Sequence, residues 1–230
     1  MLPISEPFVD TSVEPSVRGF IHRPAAAAAD GLVLTHGAGS NARAPLLVAM
    51  AETFATAGVT VLRCDLPYRQ SRPHGPPRPG DAAHDREGLK NAVGALRKMV
   101  PGRIFLGGHS YGGRQATMLC ADQPQLVDGL LLLSYPLHPP GKPEQLRVQH
   151  LPRLQTPALF VHGTRDPFGT VEEVESALRL IPAKVGFLRI EGAGHDLGFK
   201  GAGKREDLTT NVLQGFRELF DLRVGTHVNP

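Results

Sequence analysis

Two cysteines among 230 residues, Cys64 and Cys120, are too few for a disulfide framework, and they form no CxxC pair to hold a metal or act as a redox couple. Their scarcity favours a reducing compartment, and both read as buried packing residues. No apolar run approaches the roughly 18 residues needed to span a bilayer. The opening MLPISEPFVDTSVEP lacks the basic and apolar segments of a signal peptide. A cytoplasmic protein without membrane association is expected. A surplus of one charge is missing too: 25 basic and 22 acidic residues leave a net +3. That is too small and dispersed for nucleic acid or an anionic membrane to be the main partner. None of the ten histidines shows HExxH or Cys/His ligand spacing. No metal and no cofactor is called for.

What is present, 41% apolar and 20% charged residues, is the composition of a globular chain. Its length suffices for one substantial core, so residues 1–230 are expected to form a single domain. Short apolar runs alternate with amphipathic stretches from about residue 17 onward. The predicted strands are Val17–His22, Gly31–Thr35, Val59–Cys64, Arg103–Leu106, Gly129–Leu133, Ala158–Val161 and Val185–Ile190. The predicted helices are Pro45–Ala57, Asp81–Met99, Gln115–Asp122, Val171–Leu180 and Arg205–Leu222. Runs such as Leu130–Leu133 are apolar throughout, as in strands covered on both faces. The alternation implies an α/β fold, a mostly parallel sheet with helices on both sides. In such sheets the reactive site lies beyond the carboxyl ends of the strands. Leu66–Gly80 reads as a Pro- and Arg-rich loop, and Ser134–Gln155 as a proline-rich stretch where a lid could sit.

Four segments follow strand ends with chemistry in them. Ile104-Phe105-Leu106 runs into Gly107-Gly108-His109-Ser110-Tyr111-Gly112-Gly113. Gly108-x-Ser110-x-Gly112 is the nucleophile-elbow pattern: a serine on a sharp strand-to-helix turn, flanked by residues small enough for the crowding there. Alone it is a weak signal, because this composition yields it by chance about one time in ten. Leu32–Thr35 leads into His36-Gly37-Ala38-Gly39, where the Ala38 amide can supply a second oxyanion donor beside that of Tyr111. Leu159–Val161 leads into His162-Gly163-Thr164-Arg165-Asp166-Pro167, placing a carboxylate where it can orient an imidazole. Glu191-Gly192-Ala193-Gly194-His195 places a histidine in a small-residue loop after the last strand. Ser110, Asp166 and His195 occur in that order, 56 and 29 residues apart. Together the four make a strong signal.

On these motifs the chain resembles an α/β-hydrolase from about residue 17 to 222, without a cap domain. It is most similar to the small lidless branch around dienelactone hydrolases. The stretch from Tyr135 to Glu144 also resembles testis-expressed, hydrolase-like proteins. The resemblance implies Ser110 as nucleophile, His195 as base and then acid, Asp166 as orienting carboxylate, and the amides of Ala38 and Tyr111 as oxyanion hole. Dienelactone hydrolases proper use cysteine where Ser110 stands, so their substrate is not carried over. The activity implied is hydrolysis of a small ester or thioester through an acyl-enzyme. The contrasting expectation is a catalytically idle fold that serves as a binding scaffold.

The stretch between the strands at Leu130 and Ala158 is too short for a helical cap, so an open site for a small-molecule substrate is expected. The loop from Tyr68 to His74 should border it, with Arg69 or Arg72 engaging an anionic group, since Arg meets a carboxylate bidentately. Tyr111, Tyr135 and Phe168 are candidates for the pocket wall. Gly198–Arg205 fits the phosphate-loop pattern GxxxxGK[ST] except at its last position, where Arg205 replaces the Mg²⁺-ligating hydroxyl. Nucleotide binding is therefore rejected, and Lys200, Lys204 and Arg205 read as solvated.

Overall fold

An eight-stranded sheet organises the chain in a computed structural model that describes residues 4–26, 29–199 and 207–222. The strands are β1 (Ile4–Asp10), β2 (Val17–Arg23), β3 (Gly31–Thr35), β4 (Thr60–Cys64), β5 (Ile104–His109), β6 (Gly129–Leu133), β7 (Ala158–Gly163) and β8 (Val185–Ile190). Their spatial order is β1-β2-β4-β3-β5-β6-β7-β8. β1 and β2 pair antiparallel, as do β2 and β4; every other neighbour is parallel. The helices are α1 (Pro45–Thr56), α2 (Pro67–Ser71), α3 (Asp81–Arg97), α4 (Tyr111–Asp122), α5 (Val171–Leu178) and α6 (Leu208–Phe220).

Strand alternation divides the apolar residues between two cores. Leu130 and Leu132 of β6 join Leu89, Val93 and Leu96 of α3 on one face. Leu131 and Leu133 join Met50 and Phe54 of α1 and Phe216 of α6 on the other. Every residue of β6 is therefore buried, which accounts for its uniformly apolar sequence.

The structure departs from the sequence-based expectation in three places. β1 is an additional strand; its exposed residues include Ile4 and Val9, and Pro7 sits at a sheet edge where no ladder donor is required. Only Phe8 of β1 packs against a core, so the strand has no hydrophobic alternation to reveal it. α4 begins at Tyr111 rather than Gln115, because packing at the turn keeps Gly112 and Gly113 helical despite their poor propensity. Leu66–Gly80 is not all loop: α2 starts there with Pro67 at its first turn. The expected open architecture is found: residues 134–157 carry only a 3₁₀ turn at Leu151–Arg153 and send Tyr135, Leu137, Leu151 and Leu154 into the core, so among the described residues no cap domain covers the sheet. Lys200, Lys204 and Arg205, and the predicted start of the last helix, lie outside the described residues. Among the described residues no helix is long and apolar enough to cross a membrane.

Candidate active site

The turn from β5 into α4 holds Ser110 at φ 52° and ψ −117°, a backbone conformation L-residues rarely adopt and one that tight packing must enforce. A side-chain carbon at Gly108 would lie 2.7 Å from the backbone of Gly112 and Gly113, and one at Gly112 would lie 2.6 Å from the His36 carbonyl. Both positions therefore exclude any side chain. The result presents the Ser110 hydroxyl beyond the carboxyl end of β5, at the N-terminus of α4. Tyr111, the first residue of α4, has an N–H without an intrahelical acceptor. Among the described residues the Ala38 N–H also has no protein acceptor.

Three loops converge on this hydroxyl. The His195 Nε2 lies 2.7 Å from Ser110 Oγ. Its Nδ1–H donates to Asp166, 2.8 Å from Oδ2 and 3.0 Å from Oδ1. With that proton committed to the carboxylate, Nε2 is left to accept from the serine. The Asp166 side chain is fully buried and that of His195 is 21% exposed. Oδ1 of Asp166 also accepts the Phe168 N–H at 2.9 Å, and the Phe168 ring stacks on His195 with centroids 4.1 Å apart. His109 completes the support: its Nε2–H donates to the His195 carbonyl at 2.8 Å, tying the histidine loop to the elbow. An imidazole held between a buried carboxylate and a hydroxyl can take up the hydroxyl proton as the oxygen attacks an electrophile.

The pocket above Ser110 has a volume of about 310 Å³ and is walled by Ala44, Pro45, Leu46, Leu47, Phe168 and Phe199, with His36, His109 and His195 at its base. The first turn of α1 supplies much of this wall. The signal for that contribution is the helix expected from Pro45, just past the end of β3, whose first turn must face the carboxyl edge of the sheet.

Of the six side chains expected to border or wall the pocket, Phe168 lies on the wall and five do not; the Tyr111 hydroxyl donates instead to Asp85 at 2.8 Å. Tyr68 is buried, its hydroxyl 2.8 Å from the Ala38 carbonyl, and burial pushes its pKa up to about 12. Arg69 is only 7% exposed. It donates to the carbonyls of Ser40 at 2.7 Å, Gly75 at 2.8 Å, Ala38 at 3.0 Å and Arg72 at 3.1 Å. Arg72 pairs with Asp81 and donates to the Pro76 carbonyl. Tyr135 is buried and donates to the Arg147 carbonyl at 2.7 Å. Neither arginine is placed to meet an anion in the pocket, because neighbouring carbonyls and Asp81 have already claimed both guanidinium groups. Burial pushes the thiols of Cys64 and Cys120 up to about 12, so neither is a thiolate at neutral pH. Among the described residues no three His, Cys, Asp or Glu side chains converge to hold a metal.

Comparison with solved structures finds the same architecture. A dienelactone hydrolase from Anabaena variabilis is 22% identical, with TM-score 0.73 over 97% of this chain and 100% of that one. A serine hydrolase without a lid from Xanthomonas campestris is 16% identical, with TM-score 0.73 over 95% and 96%. An α/β serine hydrolase homologue from Coxiella burnetii is 18% identical, with TM-score 0.71 over 91% and 96%. At these identities the likeness establishes the fold. The family model for the alpha/beta hydrolase domain matches residues 28–218. With most of its length accounted for by that match, the chain belongs to the alpha/beta hydrolase family.

Proposed function

We propose that this chain is a serine hydrolase that cleaves small, uncharged carboxylic esters or thioesters through an acyl-enzyme. The observation that carries the reading is the unbroken line from Ser110 Oγ through His195 to buried Asp166, with steps of 2.7 Å and 2.8 Å, at the base of an apolar pocket. His195 accepts the Ser110 proton as Oγ attacks the carbonyl carbon. The amides of Ala38 and Tyr111 hold the resulting oxyanion, each such donor contributing about 10²–10³ in rate. His195 then passes the proton to the departing alcohol or thiol. Water, activated by the same imidazole, releases the acid.

Substrate charge follows from the walls. Aliphatic and aromatic side chains form most of the wall and Asp196 adds a carboxylate to it, which makes a substrate carboxylate costly to accommodate, and Arg69 and Arg72 are engaged elsewhere. Its volume lies near the lower end of the roughly 300–1,000 Å³ usual for ligand sites. A short, neutral acyl group fits that space. The two unpaired, buried thiols suit a reducing compartment such as the cytoplasm.

The test combines a fluorophosphonate probe with an ester and thioester panel, using Ser110→Ala as control. The wild-type protein should label at Ser110 and hydrolyse butyrate-sized neutral esters at least about tenfold faster than hemisuccinates, given the desolvation cost. Ser110→Ala should neither label nor turn over while keeping its circular dichroism. A folded, fully active Ser110→Ala, or a wild-type protein the probe does not label, refutes the reading.

A further inference from the structure

One buried carboxylate joins the segments carrying both proposed oxyanion amides. Asp85 lies on α3 and is wholly buried. Its Oδ1 accepts the Tyr68 N–H at 3.1 Å and its Oδ2 accepts the Tyr111 O–H at 2.8 Å. The Tyr68 N–H belongs to the first turn of α2, where intrahelical acceptors are lacking, so Asp85 caps that helix from another one. Tyr111 directly follows Ser110, and its ring meets that of Tyr68 edge-on, centroids 5.9 Å apart.

From Tyr68 the contacts run on to the second amide. Its hydroxyl lies 2.8 Å from the Ala38 carbonyl and 3.3 Å from that of Gly37. The Gly37 carbonyl and the Ala38 N–H belong to one planar peptide unit and point in opposite directions. Whatever holds that carbonyl therefore aims that amide. His36 also holds it: the Leu66 N–H donates to Nε2 at 3.1 Å, leaving Nδ1–H for the Gly37 carbonyl at 2.9 Å.

We propose that Asp85 is a positioning residue for the oxyanion hole, locking the segment that bears the Tyr111 amide to the one that aims the Ala38 amide through the Tyr68 hydroxyl. The inference rests on the Ser110 hydrolase reading above. Burial pushes the Asp85 carboxyl up, and its two donors pull it back toward ionisation. An apolar residue would fill the same space without that desolvation cost, so packing alone does not account for a carboxylate here.

The experiment measures Asp85→Ala, Asp85→Asn, Tyr68→Phe and Tyr111→Phe, with rates expressed per fluorophosphonate-labelled serine. For Asp85→Ala and the two phenylalanine variants, kcat on a neutral ester should fall about 10–100-fold with KM unchanged within about twofold, less than the loss of a whole donor. Affinity for a trifluoromethyl ketone, which forms a tetrahedral adduct at the serine, should fall by the same factor. Asp85→Asn can accept from Tyr68 through its oxygen and donate to the Tyr111 oxygen through its NH₂, and should recover most of the rate. A folded Asp85→Ala with unchanged kcat, or with its loss confined to KM, overturns the proposal. Should that variant fail to fold, Tyr68→Phe and Tyr111→Phe decide: if either leaves kcat and ketone affinity intact, the proposal fails. An active Ser110→Ala would overturn the hydrolase reading and this inference together, on a variant that none of these measurements uses.

Discussion

Two stretches at the carboxyl edge of the sheet carry polar side chains of similar kinds and use them in opposite ways. The loops after β5, β7 and β8 turn Ser110, Asp166 and His195 toward one another across a shared pocket. The stretch after β4 turns Tyr68 and Arg69 away from it, onto the carbonyls of the Gly37–Ser40 loop. That loop is neither helix nor strand, so its carbonyls need donors from elsewhere. A guanidinium with five N–H groups is suited to supply them. A residue's place at a strand end thus tells which edge of the sheet it serves. It does not tell whether its polar head is free for a ligand.

The largest expected effect breaks the pocket side. In Asp166→Asn the side-chain oxygen can keep the Phe168 N–H, which leaves the NH₂ facing His195 Nδ1. That imidazole must then carry its proton on Nε2, toward Ser110, where it cannot act as a base. Under the proposed mechanism kcat should fall about 10³–10⁴-fold with thermal stability little changed. Steady-state kinetics beside a melting curve check it. A loss below about tenfold would mean that Asp166 does not orient His195.

The scaffold side should break in the opposite manner, through stability more than chemistry. Arg69→Ala removes donors to four carbonyls at a site only 7% exposed. The expected cost is about 3 kcal/mol of unfolding free energy. Any accompanying rate loss should be equal for neutral and acidic esters, because the guanidinium holds backbone rather than substrate. A selective loss on acidic esters, with stability intact, would return Arg69 to a ligand-binding role.

The same contrast separates what the sequence disclosed from what it hid. β6 announced itself because both of its faces are covered; the elbow did so because two tiny residues flank its serine, Gly108 dictated by contacts within the turn and Gly112 by the neighbouring Thr35 and His36. Ser110, Asp166 and His195 were legible because each stands just past a strand with a recognisable apolar run. β1 was hidden because Phe8 alone of its apolar residues packs against a core. The inward turn of Arg69 was hidden because two of its four acceptors lie in the Gly37–Ser40 loop, about 30 residues upstream. Asp85 was hidden by its setting: a carboxylate between polar neighbours in an amphipathic helix looks solvent-facing, and only the packing of α2 and α4 against α3 buries it.

Histidines carry the comparison into pH dependence and give the smallest expected effect. His195 keeps part of its ring exposed, whereas His22 and His150 are buried and held down to about 4, chiefly by burial and then by Arg63 and Arg114 respectively. Between about pH 6.5 and 4 the unfolded chain therefore binds protons at these two positions that the folded chain does not. Stability must fall as pH drops through that window and be fully present above it. The His150 Nε2–H contact with Thr117 Oγ1, at 2.8 Å, can be kept by a glutamine amide, so His150→Gln removes the titration with little loss of packing. Denaturant unfolding at pH 7 and pH 4.5 should show the acid-induced loss reduced by about 1–2 kcal/mol in the variant. Under the proposed mechanism the esterase pH profile should be the same in the variant and the wild type. If stability and the esterase pH profile shifted together, the division between a partly exposed working imidazole and buried structural ones would collapse.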